Sequence, residues 1–231
     1  MITRAVVVPQ PPLLVPELAP GAVEETASLR EACVTAVKRL PARWIAVGTT
    51  AQACPIPPPV CGTFRGFGVD VRVALDAAPH AGEPADLPLP VLLAGWLRER
   101  AGADAVEVEL LSPSVTPAEC AAVGARLAAR EDEVGLLVLG DGSNRHGAAS
   151  PGGADERAEG FDALVREALA GADRDALRAL DPVLAAELGA EGRASWQVLA
   201  AVAGTGTWHA ELLHSGTELG VAYHVAAWER S

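Results

Sequence analysis

No stretch of this sequence is both long and apolar enough to cross a bilayer. The apolar run at the start, Met1 to Val8, contains Arg4 and stops at Pro9. It lacks the longer apolar centre and small-residue cleavage site of a secretory signal. The expected compartment is therefore the cytoplasm, where thiols stay reduced. Cysteine is sparse as well, with four in the chain (Cys33, Cys54, Cys61 and Cys120). Cys54 and Cys61 form the one close pair, with prolines 55, 57, 58 and 59 between them. That spacing is too wide for a CxxC redox or zinc motif, and no second pair completes a four-ligand set. Basic charge is in deficit too: 18 Lys and Arg face 30 Asp and Glu, a formal net charge of −12. Such a balance repels nucleic acid phosphates and anionic lipid, which sets aside both classes of partner.

What the chain has is apolar bulk. Half of its 231 residues are apolar, enough to bury a sizeable core and better suited to one large domain than to two small ones. The elements alternate. Ile2 to Val8 reads as a buried β-branched strand. Val23 to Leu40 carries apolar residues at helical spacing, with Glu24 and Glu25 at its start and Lys38 and Arg39 at its end, matching a helix macrodipole. Trp44 to Val47 is a second strand, and the proline-rich stretch Thr49 to Gly68 is a loop or irregular excursion. Val69 to Leu75 and Val106 to Leu111 alternate as strands, and Leu87 to Arg100 reads as a helix. Thr116, Pro117 and Glu119 signal a helix start. Val134 to Leu139 is the most apolar strand. Helix is expected from Asp155 to Ala170 and from Asp173 to Ala203, with breaks at Asp181-Pro182 and Gly189. Two strands joined by a Ser215-Gly216 turn are expected from Thr207 to Trp228. The pattern defines a single α/β domain over residues 1–231 with a mostly parallel central sheet flanked by helices.

In open α/β sheets, sites gather at the carboxyl ends of strands. Three such ends stand out: Pro9 to Leu14 after the first strand, Gly48 to Cys61 after the second, and Gly140 to His146 after the apolar central strand. Gly140-Asp141-Gly142-Ser143 could present backbone amides to an anion. It is no Walker motif and has no third glycine at the dinucleotide spacing. It also lacks the Gly-x-Ser-x-Gly elbow that would make Ser143 a hydrolase nucleophile.

Several segments in order resemble one family. "AVVVPQPPLLVPEL" is similar to an apolar strand followed by Pro-His-Pro-Pro-Leu. "LLVLGDGSNRHG" is similar to a glycine-rich strand end that carries a Ser-His. "DERAEGFDALVREAL", "ASWQVLAAVAG" and "AELLHSGTELGVAYHVAAW" are similar to later parts of actinobacterial LigB-like and Memo-like proteins. The likeness to the class III extradiol ring-cleavage dioxygenases covers nearly the whole chain. It implies a phosphorylase/hydrolase-like α/β fold. It also implies an oxidoreductase that opens aromatic rings at Fe(II), held by two histidines and a carboxylate, with a further histidine as acid/base. A facial triad of that kind leaves positions for catechol and dioxygen, and the acid/base must titrate near neutrality.

The sequence departs from that pattern at the metal. Gln10 stands where the first metal histidine is expected, and a glutamine carbonyl is a poor Fe(II) ligand beside imidazole. No histidine occurs between Thr49 and Gly68, where Gln52, Cys54 and Cys61 are the nearest polar candidates. His146 best matches the acid/base position, set against an ordinary loop histidine beside Arg145. Glu211 is the natural carboxylate, with His209 two residues away on the same strand face, set against a polar surface strand. His214 and His224 read as half-buried histidines, and His80 as solvated. Gln10, Pro11, Gly140, Asp141 and Ser143 are the expected substrate-binding residues.

The first expectation is thus a LigB-like protein with a degenerate metal site and no cofactor, binding a small molecule such as an aromatic one or acting as a scaffold. The second is an active dioxygenase with substitute ligands His146, His209 and Glu211 around Fe(II). A third is a metal-free hydrolase or transferase built on the Gly140 to His146 loop. Relatives suggest a homodimer, and Trp208 and Trp228 are candidates for either an interface or core.

Overall fold

The computed structural model of the protein describes residues 1–51, 56, 58, 60–78 and 83–231. Gln52, Cys54 and His80, weighed above, lie outside the described residues. The strands are β1 (Arg4–Val8), β2 (Arg43–Thr49), β3 (Cys61–Thr63), β4 (Arg72–Ala74), β5 (Ala105–Leu111), β6 (Gly135–Leu139), β7 (Trp208–Gly216) and β8 (Tyr223–Arg230). The helices are α1 (Ala27–Val37), α2 (Leu89–Ala101), α3 (Pro117–Ala128), α4 (Arg157–Gly171), α5 (Arg174–Arg178), α6 (Pro182–Glu187) and α7 (Arg193–Ala203).

Six strands form the central sheet in the order β5-β2-β6-β1-β8-β7. β5, β2, β6 and β1 pair in parallel, and β8 pairs antiparallel with both β1 and β7. The fold is the single α/β domain with a mostly parallel sheet that the alternating pattern implies. β6 and β1 lie inside the sheet with helices over both faces, which explains their unbroken apolar runs. β5 is an edge strand, and its alternation is real. Val106 and Val108 are buried, while Glu107 and Glu109 turn outward to Arg130 and Arg126. One core layer packs the sheet against α3 to α7, and the other packs it against α1, α2 and the small β3–β4 sheet.

Some boundaries differ from the sequence reading. α1 starts at Ala27, because the Thr26 hydroxyl donates back to the Ala22 carbonyl (2.7 Å) instead of capping the helix. Glu24 and Glu25 therefore sit in the preceding turn. Only Arg72–Ala74 of the Val69 to Leu75 stretch is strand, paired with β3 outside the main sheet. The expected Ser215-Gly216 turn is strand: Ser215 pairs with His224 and Gly216 with Tyr223, so the ladder runs through both. The chain reverses later, through a short 3-10 turn at Glu218–Gly220 in which Leu219 is left-handed (φ 54°). Trp208 and Trp228 are both core. Their indole nitrogens donate to the Ala203 and Leu169 carbonyls.

α3 has the local signal its sequence promised. Thr116 Oγ1 accepts from Glu119 N (3.3 Å) while Thr116 N donates to Glu119 Oε2 (2.8 Å). Thr116→Ala is expected to cost about 1 kcal/mol, read as a lower urea midpoint at unchanged slope.

Candidate functional site

The carboxyl ends of β1, β2 and β6 meet the start of α7. β1 leads into Gln10, whose backbone N–H donates to Asp141 Oδ1 at 2.7 Å. Gln10 Nε2 donates to Glu191 Oε2 at 3.2 Å, and Thr49 Oγ1 at the end of β2 donates to the Glu191 carbonyl at 3.1 Å. Glu191 reaches this point because two glycines let α7 come close. A Cβ on Gly140 would stand 2.3 Å from Gly192 Cα, and Gly192 N donates to the Asp141 carbonyl (2.8 Å). Gln10 is almost wholly buried, and its Oε1 has no hydrogen-bond partner among the described residues. Burial pushes the Asp141 carboxyl up to about 7. The hydrogen bond from Gln10 N opposes the rise, and the Glu191 charge adds to it. Burial, with Asp141 and Glu218 nearby, likewise raises the Tyr223 phenol.

A second cluster lies beyond the same segment, on α4 and β8. His146 Nε2 and Asp162 Oδ2 are 2.6 Å apart. Asp162 accepts from Ser143 N (3.2 Å to each oxygen), and its Oδ1 lies 3.7 Å from His224 Nε2. His224 Nδ1 is 3.0 Å from Ser215 Oγ. These four side chains line a cleft of about 710 Å³, together with Arg145 and Arg166. That size suits a drug-sized small molecule. Acidic residues 155, 156 and 159 also edge the cleft.

The structure thus divides the residues singled out from sequence. Gln10 and Asp141 stand together, with the buried Pro11 adjacent in sequence. His146 lies in the cleft. Gly140 and Gly142 are packing glycines, since a Cβ on Gly142 would stand 2.3 Å from Asp162 Oδ1. Ser143 is fully buried and donates Oγ–H to the Leu188 carbonyl (2.9 Å), so it cannot meet a substrate. The amides of Gly140, Gly142 and Ser143 are spent on Val8, Ala222 and Asp162, which closes this turn to an anion. His209 and Glu211 go elsewhere. They line a separate cleft of about 460 Å³ with Arg4 and Arg39, beside the start of β1, and Glu211 is ion-paired to Arg39 at 2.6 Å. They are not brought to His146, because β8 runs antiparallel to β1 and carries the start of β7 to the amino end of the parallel strands. His214 pairs with Glu218 at 2.6 Å. Of the cysteines, Cys33 and Cys120 are buried and Cys61 is half-buried; all three are free thiols.

Sequence reasoning missed Glu191, Asp162 and Ser215. Asp162 had a readable signal: it falls on the helix face shared by Ala158 and Val165, a carboxylate in an apolar stripe.

The side chains at Gln10 do not fit Fe(II). They offer an amide, already bonded to a carboxylate, and oxygen donors in place of imidazoles, a set suited to harder cations. Among the described residues no group of three His, Cys, Asp or Glu side chains could hold a metal ion. His146, His224 and Asp162 have the right composition, but the first is in direct hydrogen-bond contact with the carboxylate, leaving no space between them.

Fold and site together define an α/β protein with a polar crevice at the carboxyl ends of its parallel strands. No protein-family model matches the chain, and no curated protein matches it. Among solved structures it is similar to an uncharacterized protein from Escherichia coli K12, JW3007, at 15% identity and a TM-score of 0.54. The match covers 98% of this chain and 99% of that one, so the likeness in fold extends end to end. No helix among the described residues is long and apolar enough to cross a membrane.

Proposed function

We propose that this is a LigB-like protein that has exchanged ring-opening iron chemistry for the binding of a small organic molecule. The observation that carries the reading is the Gln10–Glu191 hydrogen bond. At the strand end where the resemblance implies a metal histidine, a neutral amide is spent on a carboxylate. The large cleft around His146 supports the ligand-binding half of the reading, because polar groups converge there in a concave surface. His146 and Asp162 then orient a ligand hydroxyl or amine: the carboxylate fixes the imidazole, and the other ring nitrogen is left for the ligand.

An oxygen electrode tests the loss of ring-opening. Purified protein, incubated anaerobically with Fe(II) and then given catechol in air-saturated buffer, is expected to consume no oxygen above a protein-free control. Catechol-dependent uptake that scales with protein would refute the proposal.

A further inference from the structure

The cleft contains an arrangement that the dioxygenase resemblance does not use. Ser215 is exposed on β7, and its hydroxyl is 3.0 Å from His224 Nδ1 across the β7–β8 ladder. His224 is buried (3% exposed), and its Nε2 has no hydrogen-bond partner among the described residues. That nitrogen faces Asp162 Oδ1 at 3.7 Å, and Asp162 is itself buried, held by Ser143 N and, through its other oxygen, by His146 Nε2 at 2.6 Å. The order is an accessible hydroxyl, a buried imidazole and a buried carboxylate, all lining one cleft. Arg145 lines it too, and its Nε is a buried donor without a partner among the described residues.

We propose that Ser215, His224 and Asp162 form a serine nucleophile site that cleaves small carboxylic esters. A triad is recognised by geometry and roles, not by sequence position or motif. Hydrogen bonds of this kind are also often long before substrate binds. Ser215 Oγ attacks the ester carbonyl carbon as its proton passes to His224 Nδ1. The imidazolium that forms is stabilised by Asp162 through Nε2, so Asp162 is a positioning residue. The C–O bond to the leaving alcohol breaks, and the alcohol takes the proton from His224. Water, deprotonated by the same imidazole, then releases the acid and restores Ser215. The Arg145 guanidinium, which lines the cleft, places positive charge near the carbonyl oxygen as it gains charge. The acidic edge of the cleft favours neutral or cationic esters over anionic ones. This activity needs no metal and does not depend on the fate of the iron site.

The test is covalent labelling with a small alkyl fluorophosphonate, located by peptide mass mapping. The serine oxygen forms a bond to phosphorus as the P–F bond breaks and fluoride leaves. The expected result is modification at Ser215 and none at Ser114, an exposed serine whose hydroxyl meets Ser112 and no histidine among the described residues. Ser215→Ala, at an exposed position, removes the label without lowering the melting temperature. His224→Asn slows labelling at least a hundredfold. An unlabelled Ser215 in folded wild-type protein would overturn the proposal, and so would an unchanged labelling rate in a folded His224→Asn protein. If that variant does not fold, comparing Ser215 with Ser114 in the wild type still decides.

Discussion

Gly140→Ala is expected to destabilise the protein by about 3 kcal/mol and to pull the carboxylate of Glu191 away from Gln10. The new Cβ would sit 2.3 Å from Gly192 Cα, a contact with backbone that no rotamer change can relieve. Gly192 cannot retreat cheaply. It is held to the Asp141 carbonyl on one side, and Trp196 packs against it so closely that a Cβ there would come within 2.3 Å of the indole. Relief requires α7 to move as a unit, and Trp196 is part of the core. Urea unfolding reads the effect, with Gly160→Ala as the control. Gly160 lies within α4 with open space where its Cβ would go, so alanine there is expected to add up to about 1 kcal/mol of stability. Equal effects at the two positions would mean that the Gly140–Gly192 approach does not hold the site together.

Asp141→Asn is expected to remove a decline in stability that the wild type shows between about pH 4 and 7. In the unfolded chain Asp141 ionises near the ordinary aspartate value of 3.8, whereas burial raises it to about 7 in the fold. Between those values the folded state binds more protons than the unfolded one, so stability falls as pH rises. The loss begins near pH 4 and is complete above pH 7, and it amounts to about 4 kcal/mol. Asparagine keeps an oxygen to accept from Gln10 N and has no charge to desolvate. The variant is therefore expected to lack this decline and to be more stable than the wild type at about pH 8. Urea midpoints measured across this range check it. A variant that declines in parallel with the wild type would place the pH dependence on other groups.

The fold was legible because its signals are local. β1 and β6 are apolar runs of strand length, α3 opens with a capping box, and Asp181-Pro182 and Gly189 mark the breaks between α5, α6 and α7. Where the reading failed, a long-range pairing had overridden a local cue. Ser215-Gly216 looks like a turn, yet the ladder with β8 keeps both residues extended. The site was legible only in part. Gln10, Asp141 and His146 follow strand ends and could be found by that rule. Glu191 meets Gln10 from 181 positions away, through a glycine contact that has no periodic signature. Glu211 was attractive because the spacing of His209 and Glu211 puts both on one strand face. Which end of the sheet that face lies on depends on β8 running antiparallel, and spacing does not carry that information.

Whether the strand end at Gln10 has given up its metal is decided by iron per chain, measured by elemental analysis after anaerobic loading with Fe(II) and removal of unbound metal. The expected result is iron far below one per chain, with no change when Glu191 is replaced by Gln. One iron bound per chain, and lost in Glu191→Gln, would contradict it and make Gln10 and Glu191 part of a working metal site.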